Sequence, residues 1–285
     1  MSTVLQISDP HFGTEQAPVV EALVALARQQ RPDLVVLSGD ITQRARPAQF
    51  AAARSFVDRL GLPAVVIPGN HDIPLFDLWT RATRPYAHFS AAFGTDLEPV
   101  HRSADLLVVC VNTTRAWRHK DGEVSPLQVD RVAQLLADAQ PGQLRIVVVH
   151  QPVAVTRDED KPNLLRGHAL AVPRWAAAGA DLVMGGHIHL PYVQALPGLA
   201  RPLWAVQAGT ALSSRVRDGI PNSVNLLRWG GGAPAGCCTI ERWDFSARNL
   251  AFAHAKRTEI RPVRGDNGKP GDSSANQQPS LPTTK

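Results

Sequence analysis

The sequence predicts an α/β fold built on parallel strands. Three observations support this prediction: short unbroken apolar runs alternate with segments of helical periodicity, several of the runs end in polar residues, and 44% of the 285 residues are hydrophobic. That hydrophobic fraction allows a substantial core to be buried. The length fits one large α/β domain or two small ones.

The first part of the chain alternates between strand and helix. Apolar residues at Val20, Leu23, Val24 and Ala27 recur with helical spacing. The predicted order is a strand over residues 3–7, a helix over 19–28, a strand over 33–40, a helix over 47–60 that begins at Pro47, and a strand over 64–67. This β-α-β-α-β order predicts parallel strands that are buried on both faces, which explains their unbroken hydrophobicity.

The middle of the chain continues the same alternation. Residues 106–111 form the next predicted strand. A helix begins after Ser125, with Pro126 at the first helical position and Gln128 placed to complete a capping box, and it runs to about residue 139. Two further strands that end in polar residues lie within residues 144–152 and 180–189.

The segment after His189 predicts a second, more antiparallel sheet. Its short strand candidates, at residues 203–207, 224–227 and 239–245, are separated by Gly and Pro. From about Pro262 the composition changes to Gly, Pro, Ser, Asn and Gln. We therefore predict one folded domain over residues 1–261 and a disordered tail over residues 262–285.

Composition excludes several classes of protein. No stretch of about eighteen apolar residues could span a membrane, and the first residues lack the features of a signal peptide. Cys110, Cys237 and Cys238 have no spacing typical of a disulfide framework or a zinc ribbon. These features predict a cytoplasmic protein without a membrane partner.

The charge of the chain is basic but scattered. The net charge is +5 and the sequence pI is about 9.5. No basic stripe is present, which disfavours a nucleic-acid partner and favours an arginine-rich solvated surface. A polyanionic substrate and a homodimer are left open.

Polar residues gather where five predicted strands end. They are Asp9 and His11, Asp40, Asn70 with His71 and Asp72, His150, and His187 with His189. Each alone has an ordinary explanation, because Asp after a strand is commonly a turn or cap residue and a single His is commonly a hydrogen-bonded core residue. Ligands of open α/β sheets bind beyond the carboxyl ends of the strands, so the joint pattern predicts one shared crevice. Alternation in an extended segment would point His187 and His189 to one face.

The chemistry of these residues predicts a metal centre. Carboxylate, imidazole and amide oxygen without thiolate suit Mn, Fe or Zn at a catalytic site. Seven candidate ligands are too many for one tetrahedral ion and suit two ions that share one carboxylate. The five remaining histidines are expected to be surface or structural residues: His88, His101, His119, His168 and His254.

The ordered motifs D-x-H, G-D, G-N-H-D, H and G-H-x-H, between Asp9 and His189, resemble the calcineurin-like metallophosphoesterase superfamily. The resemblance implies a four-layer αββα sandwich, with two mixed β-sheets flanked by helices. It also implies two divalent or mixed-valence transition-metal ions (Mn, Fe or Zn). The first ion would be held by Asp9, His11, Asp40 and His189, and the second by Asp40, Asn70, His150 and His187. Residues 207–225 and the G-N-H-D motif resemble the bacterial class III cyclic-nucleotide phosphodiesterase branch.

This resemblance implies hydrolysis of a small phosphodiester, such as a 3',5'-cyclic nucleotide, by a hydroxide that bridges the two metals. Asn70 and His71 would stabilise developing charge, His71 would protonate the leaving oxygen, and Asp72 would orient its imidazole. Gln151 stands where relatives often have a second histidine. The alternatives are a broad-specificity phosphomonoesterase or a nuclease of the same superfamily, and a non-catalytic metal-binding scaffold.

Overall fold

A computed structural model of the chain describes residues 1–230 and 236–263, which form twelve strands and six α-helices. The strands are β1 Ser2–Ile7, β2 Leu34–Ser38, β3 Ala64–Ile67, β4 Val100–Arg102, β5 Leu106–Cys110, β6 Leu144–Val148, β7 Leu182–Gly185, β8 Tyr192–Ala195, β9 Trp204–Gln207, β10 Ser223–Trp229, β11 Cys238–Ser246 and β12 Ala251–Ile260. The helices are α1 Ala17–Gln30, α2 Pro47–Leu60, α3 Leu78–Thr83, α4 Ala87–Phe93, α5 Pro126–Ala137 and α6 His168–Ala177. Short 3₁₀ helices cover Asn70–Asp72 and Asp158–Asn163.

The strands form two mixed sheets of six strands each. The first has the order β12-β11-β10-β1-β2-β3, in which β1, β2 and β3 are parallel and the other pairings are antiparallel. The second has the order β4-β5-β6-β7-β9-β8, with parallel pairing from β5 to β9 and an antiparallel strand at each edge. The predicted fold class, two mixed sheets flanked by helices, is confirmed.

The core explains why the central strands are apolar without interruption. Leu34 and Val36 of β2 lie in the cluster between the two sheets, whereas Val35 and Leu37 pack beneath α1 and α2. In the second sheet, Val147 of β6 packs beneath α5 and α6 while its neighbours face the other sheet. Successive side chains point to opposite faces, and both faces are buried.

The assignment of the late strands to a second sheet is wrong. β10 and β11 join the first sheet, where β10 pairs antiparallel with β1, and β9 extends the parallel part of the other sheet. Sheet membership depends on which strand edge remains free, and the free edge of β1 accepts β10. The predicted 1–261 domain and 262–285 tail remain predictions, because residues 264–285 lie outside the described part of the chain.

Several elements have no counterpart among the predicted ones. β12 is an exposed edge strand that contains Lys256, Arg257 and Glu259, and α6 contains Pro173 within the helix.

Within the described residues, no helix is both long and apolar enough to cross a bilayer. The capping box at the start of α5 is confirmed, because the Ser125 side chain accepts a hydrogen bond from the Gln128 amide.

Candidate metal centre

The chain bends sharply where the predicted ligands follow their strands. Eight non-glycine residues of the described chain have a left-handed backbone conformation. Five are predicted ligands: Asp9 (φ 50°), His11 (φ 44°), Asp40 (φ 48°), His187 (φ 71°) and His189 (φ 56°). Such residues are uncommon outside glycine and persist only where surrounding contacts hold them, which often occurs at functional sites.

The loops that carry these bends are bound to one another. The amide of Asp9 donates to the carbonyl of Gly39 at 3.1 Å, and the amide of His11 donates to the carbonyl of Asp40 at 3.1 Å. Gly69 packs so closely on Asp40 that a Cβ at Gly69 would clash with the Asp40 backbone. The amide of His71 also donates to Oδ1 of Asp40 at 2.8 Å. The ends of β1, β2 and β3 are therefore fixed relative to one another.

His187 and His189 do not lie in an extended segment, so the prediction from alternation is wrong. Both follow β7 on a bend with positive φ. They contribute to different donor groups: His189 lies with Asp9 and His11, and His187 lies with Asp40 and His150.

Carboxylate and imidazole atoms converge in three overlapping groups among the described residues. Within each group the candidate ligand atoms lie within 4.8 Å of one another. The groups are Asp9, His11 and His189; Asp40, His150 and His187; and His11, Asp40 and His71. His11 and Asp40 each belong to two of them. Asp40 directs Oδ2 to His11 and Oδ1 to His150, which is the geometry expected of a carboxylate between two ions.

The distances inside the groups suit metal coordination. Nε2 of His189 lies 3.2 Å from Nε2 of His11 and 3.2 Å from Oδ1 of Asp9. Nε2 of His150 lies 3.2 Å from Oδ1 of Asp40. Ligands about 2.0–2.2 Å from one ion are separated by roughly this distance.

Buried polar atoms without a hydrogen-bond partner give a second test of whether these residues fit a metal ion. Oδ1 of Asn70, Nε2 of His150 and Nδ1 of His187 are buried and have no hydrogen-bond partner among the described residues. Nδ1 of His150 lies 2.8 Å from the carbonyl of Ser38, so it carries the proton and leaves Nε2 as the free electron-pair donor. Buried polar atoms are rarely left unpaired. A cation beside Asp40 would satisfy all three, so these residues fit a metal ion.

Electrostatics also favour cation binding. Burial lowers the pKa of His11 to about 3 and the pKa of His187 to about 4, so both rings are neutral near pH 7. Burial alone would raise the pKa of Asp40, but His150 and His71 outweigh it and hold that pKa well below its usual range. Burial would lower the pKa of His150, but Asp40 outweighs it and raises that pKa to about 9 in the metal-free chain. A metal ion bound at Nε2 would therefore displace a proton that faces Asp40.

His71 is half-buried and has a partner on each ring nitrogen. Its Nδ1 lies 3.0 Å from the carbonyl oxygen of Gln43, and its Nε2 lies 3.2 Å from Nη1 of Arg215. The same Nη1 atom donates to Oε1 of Gln43 at 3.0 Å. Nδ1 therefore carries the proton, and Nε2 accepts a hydrogen bond from Arg215. The sequence analysis did not identify Arg215, which lies in a polar loop without periodicity.

The proposed role of Asp72 in orienting the His71 imidazole is wrong for this structure. The Asp72 carboxylate accepts hydrogen bonds from the amides of Ile41, Thr42 and Gly69 at 2.8–3.0 Å, and from Oγ1 of Thr42 at 2.8 Å. All of its bonds fix the loops after β2 and β3, and Gln43 orients the imidazole instead. Burial, together with Asp40, raises the pKa of Asp72 to about 6.

Gln151 points away from the donor groups. Its Oε1 accepts a hydrogen bond from Oγ1 of Thr113 at 2.6 Å, and its Nε2 donates to the carbonyl of Lys120 at 3.3 Å. Gln151 is fully buried. Its side chain therefore anchors the loop that contains Lys120 and makes no contact with the predicted second metal position.

A cavity of about 600 Å³ opens onto the donor groups. Its floor contains Asp40, Asn70, His187 and His189, and His71 lines one wall. The lining also includes five basic side chains: Arg44, His119, Lys120, Arg215 and Arg217. His119, expected to be a surface or structural residue, is exposed and lies in this lining. The other four histidines outside the strand-end pattern do not line it.

Known proteins resemble this chain in sequence and in fold. A protein from Synechococcus sp. named as a probable cyclic nucleotide phosphodiesterase is 28% identical over 214 residues, which are 67% of this chain and 75% of that protein. A cAMP/cGMP dual specificity phosphodiesterase from Mycobacterium tuberculosis is 26% identical over 164 residues, which are 56% of this chain and 49% of that protein. A dimetal phosphatase from Danio rerio has a similar fold, with a TM-score of 0.67 and 13% identity over 92% of this chain and 99% of that chain.

The model of the calcineurin-like phosphoesterase family matches residues 2–191, which include all five strand-end motifs. Candidate metal-binding residues, among them Asp40, His187 and His189, line the cavity. The chain belongs to the calcineurin-like phosphoesterase family.

Proposed function

We propose that the protein hydrolyses phosphodiesters at a dinuclear metal centre. The observation that carries the proposal is the position of Asp40, which is shared by two donor groups at the floor of an open cavity. A carboxylate in this position can hold two cations side by side. Paired cations suit phosphoryl transfer, because they stabilise the attacking and leaving oxygens together.

The proposed ligands divide into two sets. Asp9, His11, Asp40 and His189 would hold one ion, and Asp40, Asn70, His150 and His187 would hold the other. Mn, Fe and Zn all suit this donor set. When bound, such ions lower the pKa of water and neutralise charge on phosphate oxygens.

The side chains that remain act on the substrate. The amide group of Asn70 can donate a hydrogen bond to a phosphate oxygen while its Oδ1 faces the second ion. Arg215 can bind a second phosphate oxygen through its fork of N–H groups. His71 then loses its hydrogen bond from Arg215, so its Nε2 can take up a proton from solvent and donate it to the leaving oxygen. An alkoxide leaves a diester poorly without such an acid, so this proton transfer matters most for unactivated substrates.

Cyclic nucleotides are the first diesters to test. The relatives from Synechococcus sp. and Mycobacterium tuberculosis carry names that refer to cyclic nucleotides. A phosphomonoesterase and a nuclease remain alternatives, and the scattered basic residues speak against a nuclease. A non-catalytic scaffold is disfavoured because every predicted ligand is present. The proposal takes a small molecule as the substrate and includes no nucleic-acid partner. It leaves a homodimer open.

An activity panel with added Mn²⁺ tests the proposal. It compares 3',5'-cyclic AMP, bis(p-nitrophenyl) phosphate, p-nitrophenyl phosphate and single-stranded DNA. We expect hydrolysis of the two small diesters, cyclic AMP and bis(p-nitrophenyl) phosphate, with loss of activity on chelation and recovery with a first-row transition metal. Hydrolysis of the DNA in preference to both would favour the nuclease. Faster hydrolysis of p-nitrophenyl phosphate than of either diester would favour the monoesterase. Inactivity on the whole panel, with two ions bound, would favour the scaffold.

A further inference from the structure

We propose that the physiological substrate carries a second anionic group besides its reacting phosphodiester, and that Arg44 and Lys120 at the cavity mouth bind this group. The inference rests on the proposed function, because it concerns the same cavity. It names a substrate class: phosphodiesters with an additional phosphate, phosphonate or carboxylate.

The balance of charge in the cavity carries the inference. Asp40 is the one carboxylate in the described lining, whereas four side chains there are Lys or Arg. Arg217 is neutralised, since its Nη1 lies 2.9 Å from Oδ1 of the buried Asp160 and its Nη2 bonds to Glu159. Within residues 1–230 and 236–263, no ion pair involves Arg44, Lys120 or Arg215.

A simple diester cannot neutralise these cations. Two divalent ions, the carboxylates of Asp9 and Asp40, a hydroxide nucleophile and a monoanionic diester together have no net charge. Arg215 lies beside His71 and serves the reacting phosphate. The charge of Arg215 already exceeds this balance, and Arg44 and Lys120 add further positive charge at the mouth. Such charge attracts anions and strengthens their binding.

Arg44 and Lys120 are also held in position. The backbone amide of Arg44 donates to Oε1 of Gln49 at 2.9 Å, and its guanidinium lies 5.4 Å from the centre of the Phe76 ring. The carbonyl of Lys120 accepts from the buried side chain of Gln151. A cation on an anchored segment loses less conformational freedom on binding than one on a free loop. Gln151 thus holds the backbone at Lys120.

This charge pattern discriminates among diesters. A 3',5'-cyclic mononucleotide has one negative charge and leaves Arg44 and Lys120 unused. A diester with a further phosphate or carboxylate on either arm would engage them. Both anion types carry the negative charge and the oxygen acceptors that guanidinium and ammonium groups bind.

Three p-nitrophenyl diesters with one leaving group test the inference. Their second arms are propyl, 3-carboxypropyl and 3-phosphonopropyl, so they differ only in the added anion. With the Mn²⁺-loaded protein, we expect kcat/KM to be about tenfold higher for the phosphonate than for the propyl ester. In an Arg44→Gln, Lys120→Gln double variant this preference should disappear. The carboxylate ester shows whether one negative charge suffices or a phosphate-like group is needed.

The matched control is an Arg28→Gln, Lys256→Gln double variant, which removes the same charges from exposed positions outside the cavity. It should retain the preference for the anionic esters. Equal kcat/KM for all three diesters in the wild-type protein would overturn the inference and leave the phosphodiesterase proposal intact. A preference that survives in the Arg44→Gln, Lys120→Gln variant would also overturn it.

A binding measurement separates this inference from the proposed activity. Titration calorimetry compares propane-1,3-bisphosphonate with propylphosphonate on the Mn²⁺-loaded protein. We expect about tenfold tighter binding of the bisphosphonate, lost in the Arg44→Gln, Lys120→Gln variant. If none of the diesters is hydrolysed but this pattern is found, the proposed function fails and the anion site stands. Equal affinities would refute the anion site.

Discussion

Nε2 of His71 lies 3.2 Å from Nη1 of Arg215, while Nδ1 of the same ring lies 3.0 Å from the carbonyl oxygen of Gln43. The imidazole is therefore held between a carbonyl that accepts a hydrogen bond from Nδ1 and a guanidinium that donates a hydrogen bond to Nε2. Both His71 and Arg215 line the cavity above the metal-binding groups. A phosphodiester that enters the cavity would meet both, so their roles can be separated by substitution.

His71→Ala should retain its metals and its fold yet lose turnover. A general acid typically contributes about 10²–10⁴-fold, and we expect a loss in that range for a diester with an alkoxide leaving group. The loss should be smaller for a p-nitrophenyl diester, because p-nitrophenolate needs little protonation. Turnover of the two diesters, metal content and melting temperature check this prediction.

His168→Ala provides the control for His71→Ala. Nδ1 of His168 lies 2.7 Å from the carbonyl of Leu165, a contact of the same kind outside the cavity. This variant should keep full activity. Equal losses of His71→Ala on both diesters, together with a lower melting temperature, would show that His71 is a structural residue.

Arg215→Ala should lower kcat/KM for all diesters to the same extent. Arg215 is assigned to phosphate oxygens, so its removal should lower kcat/KM by about 10–100-fold whatever the leaving group. Arg215→Lys should recover part of the loss, because lysine restores the charge without the planar fork. Metal content should not change. A loss that depends on the leaving group as in His71→Ala would instead mean that Arg215 acts through His71.

The strand-end residues were predictable because apolar runs stop abruptly at polar residues. The carboxyl ends of β1 in the first sheet and β7 in the second meet at the same edge of the two packed sheets, so Asp9 and His189, far apart in sequence, come within 3.2 Å of each other. The backbone at these residues was not predictable. Their left-handed conformations depend on hydrogen bonds between loops, such as that from Asp9 to Gly39, which no local pattern encodes.

Other features escaped prediction for different physical reasons. Arg215 is one basic residue in a polar loop, and only its contact with His71 distinguishes it. β12 is an exposed edge strand, so it lacks the apolar run that marks a buried strand. The pairing of β10 with β1 reflects competition among strand edges over the whole chain. The carboxylate of Asp72 has backbone partners that are distant in sequence.

Removal of residues 264–285 should leave thermal stability and turnover nearly unchanged. This segment has a single large apolar residue, Leu281, and therefore little to bury against the domain. The truncation retains Val263, whose carbonyl accepts from Arg201 at 2.6 Å. Thermal unfolding and turnover of the truncated and full-length chains test the expectation. A marked loss of either would show that the segment docks on the domain or closes the cavity.

Asp40→Ala should be the most damaging single ligand substitution. Because Asp40 is shared by two donor groups, both ions should bind weakly, and elemental analysis of the pure variant should find less than one tightly bound ion per chain. His150→Ala should affect one position only and be partly rescued by excess Mn²⁺. Asp138→Ala, at an exposed position at the end of α5, should bind metal as the wild-type chain does. Two tightly bound ions in Asp40→Ala would disprove the bridging assignment.

Asp72→Ala should destabilise the fold more than it alters chemistry. The substitution leaves the buried amides of Ile41, Thr42 and Gly69 without their acceptor. Unpaired buried donors are costly, so we expect the free energy of unfolding to fall by about 3 kcal/mol. Asp77→Ala, which removes an exposed helix cap, should cost only about 1 kcal/mol. Chemical denaturation of the metal-free proteins measures both. If Asp72→Ala keeps its stability but loses turnover selectively on unactivated diesters, Asp72 acts on the His71 imidazole after all.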